Sequence, residues 1–199
     1  MEVVTHRRNF IKTAGATAAG VLIGAPNAGG GFFNDLFGVY STKEVKSIPK
    51  DWFDLAGIYV YQYGNYILDL NLKHITPRMV MEPHFKSRRG THNSLPPKKL
   101  WKKIGPTLKV IDKLCDEIGS PIKGIVSAYR SPEYNRAVRG KSRSYHMSNQ
   151  AVDVVFNKTS PWKVAKAAKQ LRDRRVFRGG IGTYRGFVHI DTRGVNADW

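Results

Sequence analysis

Three short segments carry side chains able to do chemistry together. They are His146 in Ser144-Tyr145-His146, Asp153 in Ala151-Val152-Asp153-Val154-Val155-Phe156, and His189 with Asp191 in Phe187-Val188-His189-Ile190-Asp191. A carboxylate in the middle of an apolar run is costly to bury unless a cation or several donors compensate it, so something must sit opposite Asp153. Side chains alternate along a strand, which puts Phe187, His189 and Asp191 on one face and Val188 and Ile190 on the other. Two imidazoles and one carboxylate form a usual ligand set for a single catalytic Zn2+, with a fourth position left for water. Such an ion lowers the pKa of its water to about 7 and polarises a carbonyl, which amide hydrolysis at neutral pH requires. Spacing alone leaves a second reading open, in which the histidines are hydrogen-bonded core residues and Asp153 is ion-paired.

Periodicity indicates the elements that must position these residues. Leu100, Ile104, Leu108, Ile111, Cys115 and Ile118 recur at steps of four and three, predicting a helix that Gly119 stops and Gly105-Pro106 kinks or divides. Cys115 is the only cysteine, so no intrachain disulfide is possible, and its place on that stripe makes it a buried structural thiol. Residues 125–129 and 151–156 read as buried strands, 133–139 as a short helix closed by Gly140, and 181–184 and 187–191 as two last strands. Ser160 and Pro161 open a helix from Trp162 to about Arg175, with Gly179-Gly180 as its end. Before Pro97 the pattern is weaker. Tyr59 to Leu72 reads as a strand or hairpin around Gly64-Asn65, and 74–97 as a long basic loop with His84 and His92 as surface or loop histidines. Helices and short strands mix without repeats or strict βαβ alternation, so the fold class is α+β, a small antiparallel sheet with flanking helices.

The chain has 199 residues and 33 Lys and Arg against 15 Asp and Glu, a net charge of +18 that suits an anionic partner. Its first residues include Arg7-Arg8-Asn9-Phe10-Ile11-Lys12, then a weakly apolar stretch to Ala25 and small residues beyond Pro26. That pattern resembles a twin-arginine export signal, which implies an exported protein of the periplasm or cell envelope and a passage through the twin-arginine machinery. The basic runs Lys141-Ser142-Arg143 and 172–178 are then solvated faces, in transient contact with an anionic envelope at most, and no nucleic-acid partner is expected. Three divisions follow: an export signal at 1–28, an N-terminal extension at 29–95, and a catalytic domain at 96–199.

Several motifs in order carry a resemblance: Ser127-Ala128-Tyr129-Arg130-Ser131, Asn135, Ser144-Tyr145-His146 with Gln150-Ala151-Val152-Asp153, and Phe187-Val188-His189-Ile190-Asp191-Thr192. Together they resemble the D-Ala-D-Ala carboxypeptidase and murein endopeptidase family of zinc peptidases, most closely its exported, twin-arginine-signalled endopeptidase branch. The resemblance implies a Hedgehog/DD-peptidase fold, with His146, Asp153 and His189 holding one zinc ion. It implies that Arg130 binds a substrate carboxylate or steadies the developing oxyanion, with Ser144 and Tyr145 beside the substrate. The expected substrates are peptidoglycan stem peptides or cross-links, cut as an endopeptidase rather than trimmed as a carboxypeptidase. Two departures stand out. Asn149 replaces a glycine common among relatives, and Asn tolerates a left-handed backbone. The Glu that better-known relatives place shortly before the last histidine is missing from Tyr184-Arg185-Gly186-Phe187-Val188. Asp191 is then expected to take the proton from the attacking water, or else to orient a ligand imidazole. The missing Glu also permits an alternative: a zinc-containing wall-binding protein without efficient catalysis.

Overall fold

The computed structural model describes residues 49–199; the export signal expected at 1–28 lies outside the described residues. Helices α1 (Lys50–Ala56) and α2 (Tyr59–Leu68) come first, where the sequence reads as strand or hairpin. The correction has a plain cause. Val60, Tyr63, Gly64 and Ile67 are the buried residues of α2, spaced three, one and three apart, which is the helical period. Aromatic residues prefer strands only where a pleated surface receives them. Here Tyr63 and Tyr66 pack on Trp101 instead, at 5.2 and 5.9 Å between ring centres.

The stretch expected as a long loop holds α3 (Pro77–Met81), a 3-10 turn (Glu82–Phe85), and a two-stranded hairpin of β1 (Ser87–Arg88) and β2 (Thr91–His92). His84 is not a surface residue: it is fully buried, near Tyr63 and Tyr129, and donates from Nδ1 to the Met81 carbonyl at 3.1 Å. His92 is exposed on β2, and neither histidine belongs to the cluster of His146, Asp153 and His189. Gly105-Pro106 does divide the next helical stretch, into a 3-10 segment (Lys98–Lys103) and α4 (Gly105–Ile118), which ends at left-handed Gly119. Burial pushes the Cys115 thiol up to about 11, as expected of a structural cysteine.

The remaining elements are β3 (Ile122–Ser127), α5 (Pro132–Ala137), β4 (Ala151–Phe156), α6 (Pro161–Asp173), β5 (Gly180–Thr183), β6 (Val188–Asp191) and β7 (Ala197–Asp198). One sheet runs in the order β3-β4-β6-β5-β7. The pairs from β3 through β5 are antiparallel, while β7 joins β5 in parallel, so the α+β class holds and the sheet is mixed. Helix α6 opens as read, with Ser160 Oγ accepting from the Lys163 amide, but it stops at Asp173. Gly179-Gly180 serves another purpose. The link from β6 to β7 crosses so close that a Cβ on Gly179 would lie 1.8 Å from the Asp191 carbonyl oxygen.

Val152, Val154, Val188 and Ile190 face the core formed with Leu108, Ile111 and Leu114 of α4 and Val164, Ala168 and Leu171 of α6. Val60, Tyr63 and Ile67 of α2 lie in the same cluster, so residues within the stretch assigned to an N-terminal extension help to form the core. Among the described residues no helix is long and apolar enough to cross a membrane.

Ile67 is 1 % exposed and Leu171 0 %. Ile67→Ala should therefore cost about 2–5 kcal/mol, the same range as Leu171→Ala, in urea unfolding of the full chain. A cost near zero for Ile67→Ala would show that α2 is dispensable to the core. His84 generates a pH prediction. Burial lowers its folded pKa from 6.5 to about 3. Between those values the unfolded chain holds the additional proton, so stability falls as pH drops, with a limiting slope of about 1.4 kcal/mol per unit. His84→Asn, which keeps a side-chain N–H for the Met81 carbonyl, should flatten the slope measured from neutral pH to about 5; an unchanged slope would assign the acid sensitivity to other groups.

Candidate metal centre

Strand register sets the centre. Ser127, Asp153 and His189 lie opposite one another on β3, β4 and β6. Because their apolar neighbours on β4 and β6 face the core, alternation turns Asp153 and His189 to the other face of the sheet. His146 arrives from the loop before β4. That loop is pinned where the Arg130 amide donates to the His146 carbonyl at 3.2 Å. Asn149, at φ 56° in the left-handed region, closes it as the sequence allows: its amide donates to the same carbonyl at 3.1 Å, and its side chain donates to the Leu100 carbonyl.

Three ligand-type atoms meet at the centre, all on buried residues: His146 Nε2, His189 Nδ1 and Asp153 Oδ1. His146 Nε2 stands 3.2 Å from each of the other two, which are 2.8 Å apart. Tetrahedral ligands about 2.0–2.1 Å from a zinc ion stand about 3.4 Å from one another, so little movement is needed to grip one. The hydrogen bonds behind the ligands decide the chemistry. His146 Nδ1 lies 2.6 Å from the Ala128 carbonyl, which can only accept, so that nitrogen carries the proton. His189 Nε2 lies 3.0 Å from Asp191 Oδ2 and donates to it in the same way. In the neutral imidazoles both nitrogens facing the centre then present lone pairs, beside an oxygen that also only accepts. In that state three acceptors converge with no hydrogen among them, and a cation, either a proton shared with Asp153 or a metal ion, balances the arrangement.

The electrostatics agree. Burial holds the His146 imidazole below its ordinary pKa. Burial opposes charge on His189 as well, but Asp153 and Asp191 on either side hold it above its ordinary value. Burial alone would raise Asp153; His146 and His189 instead keep it well below the usual carboxylate range. The centre thus draws positive charge, as proton or as metal. Arg130 supplies part of it from outside, donating from Nη2 to Asp153 Oδ2 and from Nε to Ser127 Oγ, both at 2.7 Å. Asp153 is left with Oδ1 for the centre.

A family model described as Peptidase M15 matches residues 78–191, more than half of the chain, and spans all three ligand-type residues. The chain belongs to the peptidase M15 family. No curated protein and no solved structure matches it. Membership makes the protein a metallopeptidase of a zinc-dependent family, and the matched stretch begins at Arg78, ahead of the catalytic domain read from 96. The M15 centre could hold a metal through His146, Asp153 and His189.

The residues expected around the metal fall into two groups. Arg130, Ser144 and Tyr145 line a cleft of about 470 Å³ that includes the three ligand-type residues. Asp191 does not line it. This M15 chain keeps Asp191 at 0 % exposure behind His189, on the ring edge away from the centre. Its Oδ1 accepts from the Gly180 amide and from the Arg193 amide and Nε, and its Oδ2 from Arg193 Nη2 and His189. Burial would raise this carboxyl, yet Arg193 and His189 hold it well below the usual range. From there it cannot reach a water in the cleft, so the geometry suits the orienting part and not the proton-taking part.

Arg193 and Trp199 were not singled out from the sequence. The Arg193 guanidinium lies 4.2 Å from the Tyr145 ring and 5.1 Å from the Trp199 ring, and Trp199 packs 5.2 Å from the His189 ring. Arg193 had a signal: it follows Asp191 by two, and a flanking cation is what a buried carboxylate needs. Trp199 had none, because β7 brings it back over Gly182.

Outer partners of ligand histidines typically affect metal affinity by about 10–100-fold. Asp191→Asn and Arg193→Gln should each weaken zinc binding within that range, with Arg193→Lys intermediate and the double variant no worse than the stronger single one. Competition against a chromophoric chelator measures this without reference to turnover. Unchanged affinity in Arg193→Gln would show that the guanidinium only fills space.

Proposed function

We propose that this protein is an exported zinc metallopeptidase that hydrolyses peptide bonds in peptidoglycan stem peptides or their cross-links, with cross-link cutting preferred. The observation that carries the reading is the convergence of three lone pairs from His146, Asp153 and His189 on one point in an open cleft. Zinc held there supplies Lewis acidity and water activated at neutral pH. The protein's own groups do the rest. The Ala128 carbonyl and Asp191 fix the two imidazoles in the tautomers a metal requires. Arg130 uses two of its five donors on Asp153 and Ser127, and the others are available to a substrate carboxylate or to the charge developing on the scissile carbonyl oxygen. Tyr145 and Ser144 shape the cleft beside His146. Export is supported by the Arg7-Arg8-Asn9-Phe10-Ile11-Lys12 segment, and an anionic wall by the charge of +18.

One observation favours a second reading. Asp153 carries the only side-chain carboxylate among the described residues lining the cleft, and its oxygens are occupied by Arg130 and the histidines. Among the described residues lining the cleft, no free side-chain carboxylate stands ready to take a proton. A zinc-containing protein that binds wall peptides without efficient turnover fits that fact.

The test is incubation of purified protein with peptidoglycan fragments, with and without chelator, beside His146→Ala. The peptidase reading expects new amino and carboxyl termini that chelator and His146→Ala both abolish. Identical products in every arm would sink it. Zinc retained with saturable peptide binding and no new termini would establish the second reading.

A further inference from the structure

We propose that the loop 138–144 is a preorganised rim that binds a substrate carboxylate lying beyond the scissile amide, so that the cleft selects anionic peptides. The inference rests on the peptidase reading and names the substrate chemistry of the same site.

Charge in the cleft is lopsided. Arg130, Arg139, Lys141, Arg143 and Arg193 make five of its fifteen lining residues, against 33 Lys and Arg among the 199 residues of the chain. Two of the five are committed, Arg130 to Asp153 and Arg193 to Asp191. Arg139, Lys141 and Arg143 are exposed and have no carboxylate partner among the described residues. The aromatic part of the lining is Tyr184 and Phe187, stacked at 4.5 Å, and Trp199, which donates from Nε1 to the Tyr184 hydroxyl at 2.8 Å. Lys141 Nζ lies 5.9 Å from the Trp199 ring centre, which leaves Arg139 and Arg143 as the rim cations without a partner among the described residues.

The loop that carries them is held from beneath. Asn135 of α5 is buried and donates from its side chain to the Lys141 carbonyl at 3.0 Å, while its own carbonyl accepts from the Gly140 amide at 2.8 Å. The Ser144 amide closes the far end on the Lys141 carbonyl at 3.1 Å. The fit under Gly140 is tight, since a Cβ there would lie 2.1 Å from Asn135 Oδ1, and Arg139 takes a left-handed φ of 56°. A solvated basic run has no need of a buried asparagine to fix its backbone. A rim that must present cations in one geometry does, because ordering it before the ligand arrives removes an entropic cost from binding. A carboxylate matches planar guanidinium forks two at a time, which Arg139 and Arg143 on one short loop can offer.

The probes are a synthetic branched peptide with a free carboxylate on the residue after the scissile amide, and its carboxamide twin. Exposed ion pairs contribute up to about fivefold each, so the wild-type chain should favour the carboxylate by about tenfold in kcat/KM, the difference residing in KM. Added salt should shrink the preference, since screening lengths fall to about 3 Å at 1 M. In the triple variant Arg139→Gln, Lys141→Gln, Arg143→Gln, with zinc content and circular dichroism matched to wild type, the preference should fall toward one. Equal KM for the two peptides in wild type, or a preference that persists in the variant, would overturn the rim and leave the peptidase standing. If neither peptide is cut, the peptidase reading fails. Fluorescence titration of the zinc-loaded protein with the same pair then tests the rim by binding alone: tighter carboxylate binding lost in the variant supports it, and equal binding overturns it.

Discussion

Three acceptor-type atoms brought within about 3 Å of one another, with the outer nitrogens of both imidazoles hydrogen-bonded to acceptors, form an arrangement that a positive charge, proton or metal, must balance. His146 Nε2, His189 Nδ1 and Asp153 Oδ1 are in that position, and the reasons lie behind them: the Ala128 carbonyl, Asp191, and Arg130 on the second oxygen of Asp153. Much of the surrounding structure follows from the need to hold it. Arg193 keeps Asp191 charged, Tyr145 and Trp199 flank Arg193, and the pairing of β7 with β5 returns Trp199 to the sheet.

The sheet supplies the precision. Register places Ser127, Asp153 and His189 in one row across three strands, so two ligand-type residues and the residue that steadies Arg130 are positioned by backbone hydrogen bonds instead of by flexible loops. Strand positions are held more rigidly than loop positions, which suits a metal site whose ligand geometry must be met closely. His146 is the exception, and its loop is correspondingly overdetermined by Arg130, Asn149 and Ala128. The same economy recurs at the rim, where one buried asparagine fixes a loop bearing three cations.

Not every element was legible from the residues. The stripe on α4, the strand at 151–156 and the cap at Ser160 carried their periods and stop signals locally, and each formed as read. Helix α2 misled because Tyr and Ile are strand formers in isolation, and because Gly64-Asn65 has the chemistry of a turn; the aromatic surface of Trp101 decided otherwise. Gly179-Gly180 stops no helix, because its purpose is a crossing of two chain segments distant in sequence from α6. His84 looked like a loop residue in a polar stretch, yet the packing of Tyr63 and Tyr129 around it encloses it.

The sequence by itself determined which side chains could serve a metal and that alternation would turn His189 and Asp191 to one face, because residue type and strand period are local properties. Tertiary structure decided which edge nitrogen of the His189 ring each carboxylate meets, and hence that Asp153 looks into the cleft while Asp191 stands behind. It also decided that Arg193 and Trp199 belong to the site, since their places depend on a crossover and a parallel strand pairing. Such choices are made by register and long-range packing, which join residues far apart in the chain and leave no periodic trace within any one segment.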